Sequence, residues 1–457
     1  MPSALVYGVA IAGEAVMRSL RQRGYEVVAA DDTVTAKKQA IADALGVVLH
    51  SAPDEDLIEQ LVSACDFVAP APGVSETHAV VRAALRLGRP LRTEIDLAYE
   101  WEQSRPSGAR PMLAITGTDG KTTTTFLATE MLRAAGLNAV AVGNTEIPLV
   151  AVIDDDSIDV FVVECTSFRL SWTTCFRPHS AVWLNLAPDH LNWHVNMASY
   201  EAAKARMWMY QRADDIAIGF AADPTVMRRL DAAPGRHVTF GLTGADYHCR
   251  PPVGSGATLM GPLGPICSVA AMRRSLPHDI TNALAAAALV QQAGLAGADA
   301  ISTAIQTFVG PPHRIEPVGE AAGVRWYNDS KATTPHAALT AIRAFDSLVL
   351  IAGGRNKGLD LHGLSSEPQR MRGVVAIGEA APEIAAVFAG VCEVRSATSM
   401  TAAVDAAAAM AEAGDAVVLS PACASFDWYP DGGYPARGDD FRAIVARHLA
   451  AAERTST

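Results

Sequence analysis

The sequence predicts a three-domain α/β protein, and three observations carry that expectation. Short apolar runs alternate with helical patterns from the first residues into the last quarter of the chain. Half of the 457 residues are hydrophobic and 19% are charged, which suits large buried cores. Two breaker-rich stretches, Ser104–Pro111 and Gly310-Pro311-Pro312, divide the chain into segments of domain size: 1–103, 104–310 and 311–457.

In the first segment Ala4–Val9 reads as a strand, Ile11–Arg23 as a helix and Glu26–Ala30 as a second strand ending at Asp31-Asp32. This βαβ opening predicts a parallel sheet. Its turn, Gly8-Val9-Ala10-Ile11-Ala12-Gly13, half matches the dinucleotide fingerprint, because Ala10 takes the place of the middle glycine. A close-packed turn without a ligand is the other reading. Phe67–Ala69 feeds the loop Pro70-Ala71-Pro72-Gly73-Val74. Ligands of open α/β sheets bind at the carboxyl ends of the strands, where Asp31, Pro72 and Gly73 stand.

The second segment opens on MLAITGTDGKTTTT, Met112 to Thr125. An apolar strand runs into two glycines, a lysine and a row of threonines, then into a helical pattern. Gly117 and Gly120 let the backbone turn and aim N–H groups inward. The start of the helix adds the positive end of its dipole. Lys121 can reach phosphate oxygens and Thr122 can sit on Mg²⁺. Gly117, Thr118, Asp119, Gly120, Lys121, Thr122 and Thr123 are therefore candidates for holding a nucleotide triphosphate. The usual spacing G-x-x-x-x-G-K-[ST] is not met, since its first glycine would fall at Ile115, so this loop is shorter.

Val160–Val163 and Ala181–Asn185 are continuous apolar runs, hence buried parallel strands. Glu164 ends the first and is either a Mg²⁺ ligand or a surface carboxylate. His190 follows the second, as a metal ligand or a satisfied loop histidine, with Asp189 beside it to orient it. Lys204, on a helical pattern, reads by itself as a solvated charge. Asn282–Ala293 is an Ala-rich helix stopped by Gly294. In the third segment Leu348–Ala352 and Ala416–Ser420 look like strands and Thr401–Glu412 like a helix.

The formal charge of −12 argues against a nucleic-acid partner. An anionic substrate has to be met by local lysines and arginines. Seven cysteines without a CxxC pair do not suggest a disulfide framework. No leader-like or membrane-spanning stretch stands out, so a soluble cytoplasmic protein without a membrane partner is expected.

The order of motifs then becomes specific. G-T-D-G-K-T-T at 117–123 is followed by E-x-T-S-F-x-L from Glu164, N-x-x-x-D-H-L-x-W-H from Asn185 and Y-x-A-A-K ending at Lys204. Further on stand P-H-D-I-T-N-A-L-A-A, G-P-P-H-R-I-E, N-D-S-K-A-T, G-G-x-N-K-G and S-P-A-C-A-S-F-D. Across essentially the whole chain this series resembles the Mur ligases, with folylpolyglutamate synthases as relatives. N-D-S-K-A-T and S-P-A-C-A-S are similar to the branch that adds glutamate rather than alanine, diaminopimelate or a dipeptide.

The resemblance implies a Rossmann-like N-terminal domain for the UDP end, a central P-loop ATPase-like domain and a C-terminal Rossmann-like domain for glutamate. It implies a monomer that joins glutamate to UDP-N-acetylmuramoyl-L-alanine through an acyl phosphate, using ATP and two Mg²⁺ ions. Lys121 and Thr122 would hold phosphates and the first Mg²⁺; Glu164 and His190 would hold the second, supported by Lys204 as a carbamate. Asn282 would face adenine, Arg314 the phosphates and Asp329 the ribose. Lys331 would meet the transferring phosphate. Asn144 would touch the muramoyl end, with Asp31, Pro72 and Gly73 toward the UDP and His313 beside Arg314. Thr333, Lys357, Ser425 and Phe426 would form the amino-acid pocket, closed by Tyr434. Ala10, Ala12 and Ala71 depart from the hydroxyl and glycine residues usual in the uridine-binding loops, and Asp279 from the usual asparagine. The sequence does not decide the enantiomer of the glutamate.

Overall fold

The computed structural model describes residues 1–191, 193–251 and 256–455. The chain forms two compact units, one of Met1–Ser275 with Asp279–Phe308 and one of Leu276–His278 with Val309–Thr457.

The first unit carries two parallel sheets. Strands β1 (Ser3–Tyr7), β2 (Glu26–Asp31), β3 (Val48–Ser51) and β4 (Phe67–Pro70) form a sheet in the order β3-β2-β1-β4. Strand β1 stops at Tyr7, two residues short of the sequence expectation, because Gly8 turns the backbone at φ 95°. The second sheet holds β5 (Met112–Thr116), β6 (Ala139–Gly143), β7 (Val160–Glu164), β8 (Ser180–Trp183), β9 (Ile216–Phe220) and β10 (Arg236–Phe240), in the order β10-β9-β8-β5-β7-β6. Strands β5, β7 and β8 are buried along their whole length, which is why they read as unbroken apolar runs. Leu184 and Asn185 leave the sheet rather than extend it. A small antiparallel sheet, β11 (His248–Arg250), β12 (Thr258–Gly261) and β13 (Gly264–Ser268), completes the unit.

The two large sheets of this unit share a core. Ala4, Val6 and Ile95 belong to the same apolar cluster as Val142, Leu149, Phe161 and Trp183. The Ala-rich helix begins earlier than its pattern suggested, at Pro277, and runs to Gln292.

The second unit holds one six-stranded sheet of β14 (Glu316–Ala321), β15 (Val324–Asn328), β16 (Leu348–Gly353), β17 (Met371–Ile377), β18 (Glu393–Ala397) and β19 (Ala416–Ala422). Its order is β14-β15-β19-β16-β17-β18, parallel except for the β14–β15 hairpin. Apolar clusters cover both faces of the sheet, and the long helix Gly433–Thr455 supplies Phe441, Ile444 and Val445 to one of them.

Candidate active site

The phosphate loop leaves the carboxyl end of β5, a central strand flanked by β7 and β8. Gly120 is the first residue before the helix Lys121–Ala134 and has φ 83°; a Cβ there would stand 2.6 Å from Asn282 Oδ1. Only glycine meets both demands cheaply. The N-cap is this glycine, which has no side chain to cap the helix, and the positive end of the helix dipole faces the loop.

Asn185 gives the loop its shape. Its Oδ1 accepts from Thr118 N and Asp119 N, both at 2.9 Å, and its Nδ2 donates to Asp119 O at 3.2 Å. The Thr118 hydroxyl is held among Ala187 O, Ala187 N and Tyr200 Oη. The N–H and hydroxyl of Thr118 are thus both engaged within the protein, where they shape the loop. In the sequence Asn185 stands out only as the first residue of its motif.

Two lysines meet at one carbonyl. Lys121 Nζ donates to Gly117 O at 2.9 Å and Thr118 O at 2.6 Å. Lys204 Nζ donates to the same Gly117 O at 2.6 Å and lies 4.6 Å from the Tyr200 ring centroid. Lys204 is 1% exposed and, among the described residues, makes no ion pair. Burial, reinforced by the charge of Lys121, holds its amine well below the usual lysine range, against the pull of Asp189 and Asp119. The solvated-charge reading of Lys204 is therefore overturned. The signal was present: Tyr200, Ala203, Lys204, Met207 and Trp208 form the buried stripe of the helix Met197–Met209.

Glu164 ends β7, in register with Ile115 of the strand that feeds the loop. It is 1% exposed, and its Oε1 accepts from Asn144 Nδ2 at 2.8 Å. Its Oε2 is buried without a hydrogen-bond partner. A carboxylate oxygen left this way is expensive unless a cation or a proton meets it. Asn144 therefore has one hand on Glu164 and is otherwise exposed.

His190 has a left-handed backbone, φ 56°, which costs a non-glycine residue about 1 kcal/mol or more and recurs at functional sites. Its Nε2 lies 3.1 Å from Asp189 Oδ2, and its ring packs edge-on against Phe168. Burial, with Lys121 and Lys204 nearby, outweighs Asp189 and pushes its pKa down to about 4. The imidazole is neutral at physiological pH, as a metal ligand must be. Asn192, in the same motif, lies outside the described residues.

The His190 loop is clasped to the loop after β4. Trp193 Nε1 donates to Pro72 O at 3.0 Å; His194 Nδ1 meets Glu76 Oε1 at 2.9 Å and its Nε2 meets Ser167 Oγ at 2.8 Å. Serine, histidine and glutamate here follow the hydrogen-bond order of a hydrolytic triad. The Ser167 and His194 side chains are both buried, which leaves a substrate no access, so the arrangement ties loops together.

In the N-terminal sheet Asp31 is turned inward. It accepts from Val9 N at 2.7 Å, Thr33 N at 2.9 Å and Lys38 Nζ at 2.7 Å. Burial opposes its charge, yet Lys38 and these N–H groups hold its carboxyl below the usual range. Asp31, expected toward the UDP, braces the Gly8–Gly13 turn through Val9 N. The exposed carboxylate is its neighbour Asp32, which takes the Tyr7 hydroxyl at 2.6 Å and His78 Nε2 at 3.1 Å. Pro72 has its carbonyl on Trp193, while Gly73 is exposed. Asn282 lies against Gly120 and accepts from Thr124 Oγ1 at 3.3 Å, at the phosphate end of the loop. Asp279 is paired with Arg274 at 2.6 Å.

In the second unit the motif loops gather at the carboxyl ends of β15, β16 and β19. Lys331 Nζ donates to the Tyr434 hydroxyl at 2.8 Å and lies over the Tyr434 ring. Arg355 and Ala424 exchange backbone hydrogen bonds of 2.8 and 3.0 Å, which joins the Lys357 loop to the Ser425 loop. Lys357 and Phe426 are exposed, Thr333 half-buried and Ser425 buried. Asp329 is buried, accepting from Ser420 Oγ at 2.7 Å and Ile315 N at 3.1 Å, bonds that tie it to the end of β19 and to the His313 loop. His313 is buried with φ 61° and meets Asn328 Nδ2 at 3.0 Å, while Arg314 beside it is half-buried.

A parallel α/β unit with a short phosphate loop, a buried carboxylate with one oxygen lacking a hydrogen-bond partner and a buried low-pKa lysine defines an enzyme built around nucleotide phosphate. Comparison with known proteins narrows this. Residues 115–290 match the Mur ligase middle domain, and residues 313–423 match the Mur ligase, glutamate ligase domain. The chain is 40% identical to a UDP-N-acetylmuramoylalanine--D-glutamate ligase of Frankia casuarinae, covering 96% of this chain and 93% of that one. It is 36% identical to the like-named protein of Desulfotalea psychrophila, over 96% and 95%. In fold it is similar to a MurF ligase from Thermotoga maritima solved with ADP, at TM-score 0.60 and 16% identity over 98% of this chain and 96% of that one. The chain belongs to the Mur ligase family.

Proposed function

We propose that this protein joins D-glutamate to UDP-N-acetylmuramoyl-L-alanine at the expense of ATP, a step of peptidoglycan precursor synthesis. Similarity at 40% identity along nearly the full length of a relative of that name carries the reading, and the phosphate loop agrees with it. We further propose three functional domains, 1–103 for the UDP end, 104–310 for ATP and 311–457 for glutamate. Among the described residues no helix is long and apolar enough to cross a membrane, which agrees with a cytoplasmic site of action.

The chemistry follows from the groups present. The terminal carboxylate of the alanyl substrate attacks the γ-phosphorus; ADP leaves and an acyl phosphate forms. Lys121 and the helix start at Gly120 lie where negative charge collects on the phosphates. The glutamate amine then attacks the acyl carbon, loses a proton, and inorganic phosphate departs as the amide forms. Lys331, Thr333, Lys357, Ser425 and Phe426 are proposed to hold the glutamate and the transferring phosphate. Arg314 and Asn282 are proposed to hold the nucleotide.

The residues present fit Mg²⁺: Glu164 has a buried oxygen without a partner, His190 is neutral, and Thr122 stands at the helix start. Such an ion neutralises charge on phosphate oxygens. The low pKa of Lys204 makes its amine a nucleophile toward CO₂, and the carbamate it would form adds a carboxylate-like group next to Gly117. The deciding experiment is phosphate release with ATP, UDP-N-acetylmuramoyl-L-alanine and each amino acid in turn. Release that requires D-glutamate supports the reading; release that requires L-glutamate or another amino acid overturns it.

A further inference from the structure

The helix Gly433–Thr455 places Arg437 at 1% exposure inside the second unit. Its Nε donates to Ser330 Oγ at 2.9 Å and its Nη2 to Ser330 O at 2.8 Å. Nη1 and Nη2 both donate to Cys423 O at 3.2 Å. A Cβ on Gly354, whose φ is 129°, would come within 3.2 Å of Nη1 and would also strike Ala424 O. One guanidinium therefore touches N-D-S-K-A-T, G-G-R-N-K-G and S-P-A-C-A-S, three loops that are far apart in the chain.

All of its acceptors are neutral. Among the described residues no carboxylate lies within ion-pair distance of Arg437. Burial pulls its pKa down to about 10, with Asp427 pulling the other way, so it keeps its proton at neutral pH. An unpaired buried charge is costly, and a well-packed neutral side chain avoids that cost. Loop-stapling alone does not call for a cation here. Its neighbours say what the charge is for. Ser330 precedes Lys331, Gly354 lies three residues before Lys357, and Cys423 lies two before Ser425.

We infer that Arg437 is a positioning residue that sets the amino-acid pocket for an acidic substrate: it pins the three loops and supplies positive potential that the side-chain carboxylate of the incoming amino acid balances. This rests on the pocket assignment proposed above. Lys331 and Lys357 are the groups proposed to meet the ligand, and Arg437 acts through the loops that carry them.

The test is steady-state phosphate release by the full chain with Arg437→Gln and Arg437→Lys. Arg437→Gln is expected to raise KM for glutamate about tenfold, while KM for ATP and for the nucleotide-sugar stays within about twofold. Glutamine, which has the same shape without the charge, serves as a competitive inhibitor, and its Ki is expected to stay within about twofold. Arg437→Lys is expected to keep KM for glutamate near wild type and to lose kcat, since it retains charge but not the fork. A parallel rise in KM for glutamate and Ki for glutamine, together with a lowered Tm, reduces Arg437 to a structural staple and overturns the inference. If Arg437→Gln does not fold, the lysine variant decides: a tenfold rise in its KM for glutamate at unchanged Tm also overturns it. Wild-type protein that releases no phosphate in response to glutamate refutes the pocket assignment instead, which keeps the two failures apart.

Discussion

Each unit of this protein buries one basic side chain that, among the described residues, has no carboxylate within ion-pair distance, and the two differ in what burial does to them. In the first unit Lys204 donates to Gly117 O. In the second Arg437 donates to Ser330 and Cys423. Burial drives both pKa values down, but from different starting points. Burial holds the lysine amine well below its ordinary range, whereas the arginine, at about 10, keeps its proton at neutral pH. A buried lysine can therefore change the sign of its charge by reacting with CO₂, and a buried arginine remains a fixed positive charge. On the proposed function, the first unit would use its basic group to support a metal ion and the second would use its own to attract an anion.

That contrast can be broken in several ways. The largest effect belongs to the cation on the ligand side of the first unit. Lys121→Ala is expected to reduce ATP-dependent phosphate release by 10²–10³-fold or more, on the order of losing a preorganised donor at the reacting charge. Retained activity sinks the phosphate-loop assignment. Lys204→Ala is expected to lose activity to a similar extent and to regain part of it with formate or acetate, which can occupy the place of a carbamate. Lys204→Arg is expected to be inactive and beyond such rescue, because the guanidinium keeps its proton and fills the space. Activity in Lys204→Arg would erase the distinction between the two buried cations.

A smaller effect concerns stability against pH. The folded pKa of Lys204 lies below its unfolded value, so between the two the unfolded chain holds a proton that the folded chain does not. Stability therefore rises with pH through that window and levels off near the ordinary lysine pKa of about 10.4. Lys204→Met is expected to flatten the rise of Tm between neutral pH and pH ~10. The corresponding window for Arg437 opens only near 10, so Arg437→Met should leave that slope alone. Equal slopes in wild type and Lys204→Met count against a neutral Lys204. The smallest effect concerns the clasp in the first unit: Glu76→Gln is expected to cost about 1–2 kcal/mol in chemical denaturation by weakening the bond to His194.

The sequence made the phosphate loop plain because its glycines, lysine and threonines are contiguous and each has a backbone or phosphate reason to be there. Strands β5, β7 and β16 were equally plain, being apolar on both faces. The loop's internal organiser, Asn185, was hidden, since its bonds to Thr118 and Asp119 span more than 60 residues of chain. Asp31 and Asp32 could not be told apart by type; only the fold turns one inward to Val9 and Lys38 and leaves the other exposed. Lys204 and Arg437 share a signal that a periodicity reading can use. Lys204 stands on a stripe with Tyr200, Ala203, Met207 and Trp208, and Arg437 on one with Phe441, Ile444 and Val445. A cation on the apolar stripe of a helix is costly to bury and so marks a residue with a task.

The most direct test of this account is isotope labelling. Protein equilibrated with labelled bicarbonate near neutral pH is observed by carbon NMR, in wild type and in Lys204→Ala. The account predicts one carbamate signal per chain in wild type and none in the variant. A folded wild-type protein that shows no carbamate signal, or one that survives in Lys204→Ala, contradicts it.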